Sequence, residues 1–400
     1  MTRRGAATAA TAAFAALAGL GACLSIPPYQ SRNGVSVADD ATGSTVAGPR
    51  FALHFAGGAG FHFPDALTID GHDVLGHEAQ ATCFDQDEAG VLIFPTPRIS
   101  AITSAPAVRN QLAPALRGPA VVQMRLDWTT QFGCNTTRAP GGTSVFTVFP
   151  DGRIVRHETL EDPRPDDNVS SHDCACDPSG RDQGFTISSY WTFARAAFQN
   201  AFYYTEQLTL PLPMMMESDV TNFDTVCLDG PGYHLTSTWF TPLPTDTTAV
   251  HGGKAVFGHG MIKAIGTSGV ELPWTTRSTL AIGRIDCRSA FRTALAYAAP
   301  AVLRVNGGDT TVARDGIYGG DPGTGEPGLA LSTRHVELTG EITTPFAVWL
   351  TFPGPVELLR ATRAGQTGEW YIPQQVNDRT WIVWFRDPLT AGQTITIDPG

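Results

Sequence analysis

Short runs in which apolar and polar residues alternate, each closed by Gly, Pro, Asp or Asn, recur along most of this 400-residue chain. A period of two sends successive side chains to opposite faces of a strand. The clearest unit is 143–160. Val145, Thr147 and Phe149 alternate with Phe146 and Val148, Pro150-Asp151-Gly152 turns the chain, and Arg153-Ile154-Val155-Arg156-His157-Glu158 returns. Asp-Gly between two such runs predicts a hairpin, because Gly takes the positive φ that the turn requires. A partner strand is expected over 120–128, with others at 51–55, at 66–75 around Asp70-Gly71, and at 91–94. After Gly230-Pro231-Gly232, residues 233–240 alternate again. Tyr233, Leu235 and Trp239 share one face, and His234, Thr236 and Thr238 share the other, so His234 is directed to solvent or a cleft.

Helical periodicity is scarce. The best helix is 288–299, with Phe291, Leu295 and Ala298 near one side and Pro300 as its stop. The aromatic stretch 189–205 reads both ways: Phe198 and Phe202 are spaced for a helix, while its flanks read as strands. A domain boundary falls at 300. Residues 51–299 form a large antiparallel β-sandwich, and 300–400 a smaller C-terminal β-sandwich of about seven strands. Its strands are expected at 302–305, 336–339, 346–352, 356–360, 370–372, 381–385 and 394–397, with 306–328 as irregular loop. Trp381-Ile382-Val383-Trp384-Phe385 is apolar throughout, as in a strand buried on both faces. The class is therefore mostly β with few short helices.

One stretch breaks the pattern. After Arg3 and Arg4, residues 5–22 carry no charge and close on Leu20-Gly21-Ala22-Cys23. A basic start, an apolar run and small residues before the cut predict a secretory signal over 1–22. The tetrad resembles the lipobox of bacterial lipoproteins. That resemblance implies acylation of Cys23, a lipidated tether over 23–50 and attachment to the membrane through that lipid. Leu24 after the cysteine is similar to the outer-membrane sorting class of a Gram-negative host. A plain signal peptide or a retained anchor are the alternatives. The formal charge is 27 − 38 = −11, or −13 without Arg3 and Arg4. With no basic patch, nucleic acid is not an expected partner.

Export changes the reading of the cysteines. Cys83, Cys134, Cys174, Cys176, Cys227 and Cys287 are even in number, which predicts three disulfides in one of fifteen pairings. Cys174 and Cys176 are too close for an easy mutual bridge. A zinc site at His172-Asp173-Cys174-Ala175-Cys176 competes, without the Cys-x2-Cys knuckle. Asp166, Asp167, Asp173 and Asp177 offer oxygen ligands for calcium but do not follow an EF-hand loop, so a solvated acidic loop is the plainer reading and no cofactor is expected. His72 and His77, with Asp73 and Glu78, form the densest metal-like group, although on a strand the two imidazoles face opposite ways. Met214-Met215-Met216 reads as packing rather than a copper site.

The apolar run, Pro-Asp-Gly and Arg-Ile-Val of the hairpin, with Asp70-Gly71-His72-Asp73-Val74-Leu75 upstream, resemble the galactose-mutarotase-like supersandwich over about residues 51–285. The resemblance implies the fold. That family's two His, Asp and Glu have no matching motif here, since His251-Gly252 and His259-Gly260 share only composition. Gly-x-Ser-x-Gly, His-Glu-x-x-His, Walker and Rossmann patterns are absent from the sequence. His234 and His259 stand as catalytic candidates. Trp370 and Tyr371, beside a polar turn, are the candidate sugar-stacking pair, with core packing as the commoner role of such rings. The expectation is a cell-envelope lipoprotein that binds carbohydrate without catalysis. The alternatives are a polysaccharide lyase or hydrolase on the supersandwich, and a structural envelope protein.

Overall fold

The computed structural model describes residues 33–57, 64–75, 110–129, 141–161, 185–204, 209–212, 220–221, 225–240, 247–252, 256–265, 274–283, 287–298, 301–320, 328–366 and 369–400. Cys23, the strand expected at 91–94, residues 166–177, His77, the Met run and four of the expected disulfide cysteines lie outside them. The architecture is mostly β, as the alternation predicts, with one α-helix among the described residues.

The large sandwich is built from three sheets. A nine-stranded antiparallel sheet holds Asn110–Arg117, Val122–Thr129, Gly141–Val148, Arg153–Glu161, Trp274–Ile282, His234–Phe240, Thr225–Asp229, Asn200–Tyr204 and Thr209–Leu212, in that spatial order. A five-stranded sheet, Ser36 to Asp73, and a four-stranded one containing Phe185–Ala194 and Val256–Ile265 accompany it. Side chains from all three meet in one core: Val46, Leu53 and Leu67 from the first small sheet, Trp191 and Phe193 from the second, and Met124, Phe146, Ile154, Leu235 and Leu280 from the large one.

The 143–160 hairpin forms as expected, with Val148 opposite Ile154 and Gly152 at φ 86°. Asp70 (φ 49°) and Gly71 (φ 84°) likewise turn the chain between Pro64–Ile69 and His72–Asp73. Residues 33–50 depart from the tether expectation. Ser36–Asp39 and Gly43–Ala47 pair antiparallel, and Val35 and Val46 are core residues. Small and polar residues disguised a strand whose inward positions are Ser44 and Val46. The aromatic stretch resolves as two strands, Phe185–Ala194 and Asn200–Tyr204, around a 3-10 turn at Arg195–Ala197, so the helical spacing of Phe198 and Phe202 is incidental.

The helix Cys287–Ala298 lies on the outer face of the nine-stranded sheet, against Asn200–Tyr204, Thr225–Asp229 and His234–Phe240. It buries Ala290, Phe291, Ala294 and Tyr297, a stripe at helical spacing, with Phe291 5.1 Å from the Tyr204 ring. Cys227–Cys287 is a disulfide that pins its first residue to the sheet. Thr236 and Thr238, on the same side of their strand as His234, are buried.

In the C-terminal sandwich, ten strands form a continuous sheet folded over on itself. Leu303, Val305, Val336, Leu338, Ile395 and Ile397 on one half pack against Phe346, Val348, Leu350, Val383 and Phe385 on the other. Asp309–Arg314 and Ile317–Tyr318 are strands inside the expected loop 306–328, and Val356 precedes rather than begins the strand Leu359–Arg363. The outer side of the second half carries Ala347, Trp349, Ile372, Ile382 and Trp384. These bury against Leu116, Ala120, Val121, Phe149 and Val155 of the large sheet. Thr380–Phe385 is thus buried on both faces because it separates two cores.

Candidate functional site

The helix covers one end of the outer face of the nine-stranded sheet, and the C-terminal sandwich covers the region of Val121, Phe149 and Val155. The remainder is polar. Along Arg153–Glu161 the outward positions are Arg153, Val155, His157 and Thr159, because Ile154 belongs to the inner core and alternation does the rest. Register then sets their neighbours. His157 stands opposite Val145 on one side and Arg277 on the other, and Arg277 in turn opposite Phe240. The next rung runs Asp127, Thr143, Thr159, Thr275. Arg125, Asp127, Thr143, His157, Thr159, Thr275, Arg277 and Phe240 are all half-buried, so the patch is recessed yet reachable.

Asp315 enters this patch from the C-terminal sandwich. It sits at φ 49° in the turn between Asp309–Arg314 and Ile317–Tyr318, where its short polar side chain tolerates the left-handed region. One carboxylate oxygen lies 2.9 Å from Arg277 Nε and the other 3.6 Å from His157 Nδ1. Burial alone would raise the Asp315 pKa. The neighbouring His157 imidazole and the Arg277 charge outweigh it and hold the carboxyl below its ordinary value. At the other edge, Arg125 Nε is 3.1 Å from Asp127 Oδ1, which also accepts from Thr143 Oγ1 at 2.7 Å. The result is an imidazole, two guanidiniums, two carboxylates and three hydroxyls on one face, framed by a ring. That set donates and accepts hydrogen bonds in several directions.

The inner face of the same strands carries a second polar group. Arg156 is 2% exposed, and its guanidinium is 2.6 Å from Glu158 and within 6 Å of the Phe146, Trp191 and Trp239 rings. Burial pushes its pKa down, against the pull of Glu158. Trp191 Nε1 donates to Ser278 Oγ and Trp239 Nε1 to the His259 carbonyl, both at 3.0 Å. This group is closed inside the core.

The residues singled out from sequence are scattered. His259 is fully buried with Nδ1 2.9 Å from Ser237 Oγ, inside the core. His234 is half-exposed at the end of its strand, 2.5 Å from Asp229 across the hairpin. His72 is exposed with its ring 5.6 Å from that of Tyr233. Among the described residues no group of three or more His, Cys, Asp and Glu is placed to hold a metal ion. Trp370 is 5% exposed, stacked on Phe385 at 5.5 Å and met by Arg363, so its indole belongs to the core, while Tyr371 is half-buried. His157, Arg277 and Asp315 were missed. The alternation of 153–158 already separated His157 from Ile154, but only the layer above shows which side stays open.

No protein-family profile and no curated protein matches the chain. Solved structures similar to it include heparan sulfate lyase HepC from Pedobacter heparinus, at 9% identity over 77% of this chain and 40% of that one, TM-score 0.31. A putative mutarotase, YeaD from Salmonella typhimurium, is 10% identical over 63% of this chain and 94% of its own, TM-score 0.32. Chondroitin AC lyase from Streptomyces coelicolor is 11% identical over 89% of this chain and 48% of its own, TM-score 0.32. The chain spans less than half the length of either lyase. No residue role is carried over from these structures.

Proposed function

We propose that this protein binds carbohydrate on the polar outer face around His157, as an exported protein held in the cell envelope by lipid on Cys23. The observation that supports the reading is the recessed field from Arg125 to Arg277, with His157 and Arg277 both beside the Asp315 carboxylate. A sheet face flanked by two packed layers would ordinarily be filled with apolar side chains. Here it presents hydroxyls, guanidiniums and carboxylates at the spacing of neighbouring strands, about 5 Å apart, which suits successive hydroxyls of a sugar. Phe240 beside Arg277 offers an apolar ring to the C–H side of that sugar.

A second reading, acid–base catalysis on a polysaccharide, is favoured by His157 lying against a buried carboxylate. One experiment separates the two. The mature chain is applied to a glycan array, hits are measured by calorimetry, and the bound glycan is analysed for new ends. Binding without turnover, weakened about tenfold or more in His157→Ala and Arg277→Gln, is the expected result. A loss of one hydrogen bond to a charged group has that size. New reducing or unsaturated ends select the catalytic reading. A folded chain that retains no glycan overturns both. For the anchor, labelling with a fatty-acid probe that persists in Cys23→Ser refutes the lipid.

A further inference from the structure

Both guanidiniums of the polar field already have a carboxylate of their own. Arg125 lies 3.1 Å from Asp127, and Arg277 lies 2.9 Å from Asp315. His157 apart, these four charges cancel. Arg153, on the strand of His157 but next to the C-terminal sandwich, is matched in the same way by Asp151 at 2.6 Å. Asp315 is only 6% exposed, whereas Arg277, Arg125 and Asp127 are half-buried and reachable. Arg314 also acts on Asp315, but from an exposed position where water and salt screen its charge.

We propose that the outer face takes an uncharged glycan, and that Asp315, supplied by the C-terminal sandwich, sets this choice by neutralising Arg277 from within. The inference rests on the carbohydrate reading above and names its ligand class. A uronate carboxylate or a sulfate placed on Arg277 would lie beside the Asp315 carboxylate. Burial keeps water away from that carboxylate, so the repulsion is only weakly screened. Asp127 raises the same obstacle at Arg125. Sugar hydroxyls meet no such cost, since each charged pair still offers them N–H donors and oxygen acceptors. At longer range the net charge of −11 on the chain also opposes a polyanion.

Calorimetry on the full mature chain tests this with uncharged hexasaccharides of glucose, galactose, mannose and xylose, against hexagalacturonate and a hyaluronan hexasaccharide. At least one uncharged chain should bind, about tenfold or more tighter than either acidic one. Asn tolerates the left-handed backbone as Asp does, so Asp315→Asn removes the charge and keeps the turn. In that variant the ratio should move towards the acidic chains by about tenfold. The gain should shrink between about 0.05 M and about 0.3 M sodium chloride, a response that a merely loosened turn would not give. Asp127→Asn should move the ratio the same way, and it carries the test if Asp315→Asn does not melt cooperatively. Tighter binding of an acidic hexasaccharide by the parent overturns the inference and leaves the carbohydrate reading standing. A ratio unchanged in the folded variant overturns the selecting role of its carboxylate. Retention of neither kind of glycan overturns the outer-face reading and this inference together.

Discussion

Gln374 joins the two sandwiches through a single side-chain oxygen. Its Oε1 accepts from the backbone N–H of Ala120 at 3.1 Å and of Val121 at 2.9 Å, across the interface, and the residue is 3% exposed. Both donors belong to fully buried residues. In Gln374→Leu the volume is nearly kept and both amides lose this acceptor in an apolar surrounding. An unsatisfied buried donor costs about 1–3 kcal/mol. Two adjacent ones that relax together should cost about 2–4 kcal/mol, the lower bound holding if one finds a new partner. Urea unfolding followed by tryptophan fluorescence is a suitable assay, since Trp349 and Trp384 line the sheet at this junction. The variant should unfold at lower urea, and the C-terminal sandwich should separate as an earlier step. Stability within about 0.5 kcal/mol of the parent, the scatter of ordinary surface changes, would refute the bridging role of that oxygen.

Glu158→Ala should destabilise by about 3–5 kcal/mol, because it removes a carboxylate paired with the Arg156 charge in the core; calorimetry of Arg156→Met/Glu158→Leu should recover most of that, and no recovery contradicts the argument. Opening Cys227–Cys287, 60 residues apart, should cost about 4 kcal/mol by loop entropy. Thermal melts with and without reductant measure it, and a Cys227→Ala/Cys287→Ala chain that melts like the parent counts against it. Asp315 has its folded pKa below the ordinary 3.8. Its contribution is therefore complete above the unfolded value and is lost as pH falls through the folded one. Unfolding from pH 6 to about 2 should show the parent losing more stability than Asp315→Asn, and equal slopes would count against the pairing with His157 and Arg277.

Much of the fold could be read from residue order alone where alternation and turn chemistry agree, as at Pro150-Asp151-Gly152 and Asp70-Gly71. It failed where they were read separately. Asn306-Gly307 and Asp315-Gly316 are hairpin signals, with Asn306 at φ 51°. The strand between them, Asp309–Arg314, is largely exposed and carries Thr, Asp and Arg, so it passed for loop. The candidate site was less accessible still. In Arg153–Glu161 both faces contain charges, and a period of two separates the faces without ranking them. What ranks them is contact with distant segments: Trp191 and His259 close the side of Arg156, and the turn at Asp315 leaves that of His157 partly open. A lone sequence holds no local trace of that closure.

The strand Thr380–Phe385 has a practical consequence for anyone who divides the chain. A fragment beginning near residue 300 would carry Trp349, Ile372, Ile382 and Trp384 as a bare greasy wall, and the remaining piece would expose its mate. Each half, made alone, should clump rather than dissolve. Mixed while still unfolded, the two should find one another and become soluble together.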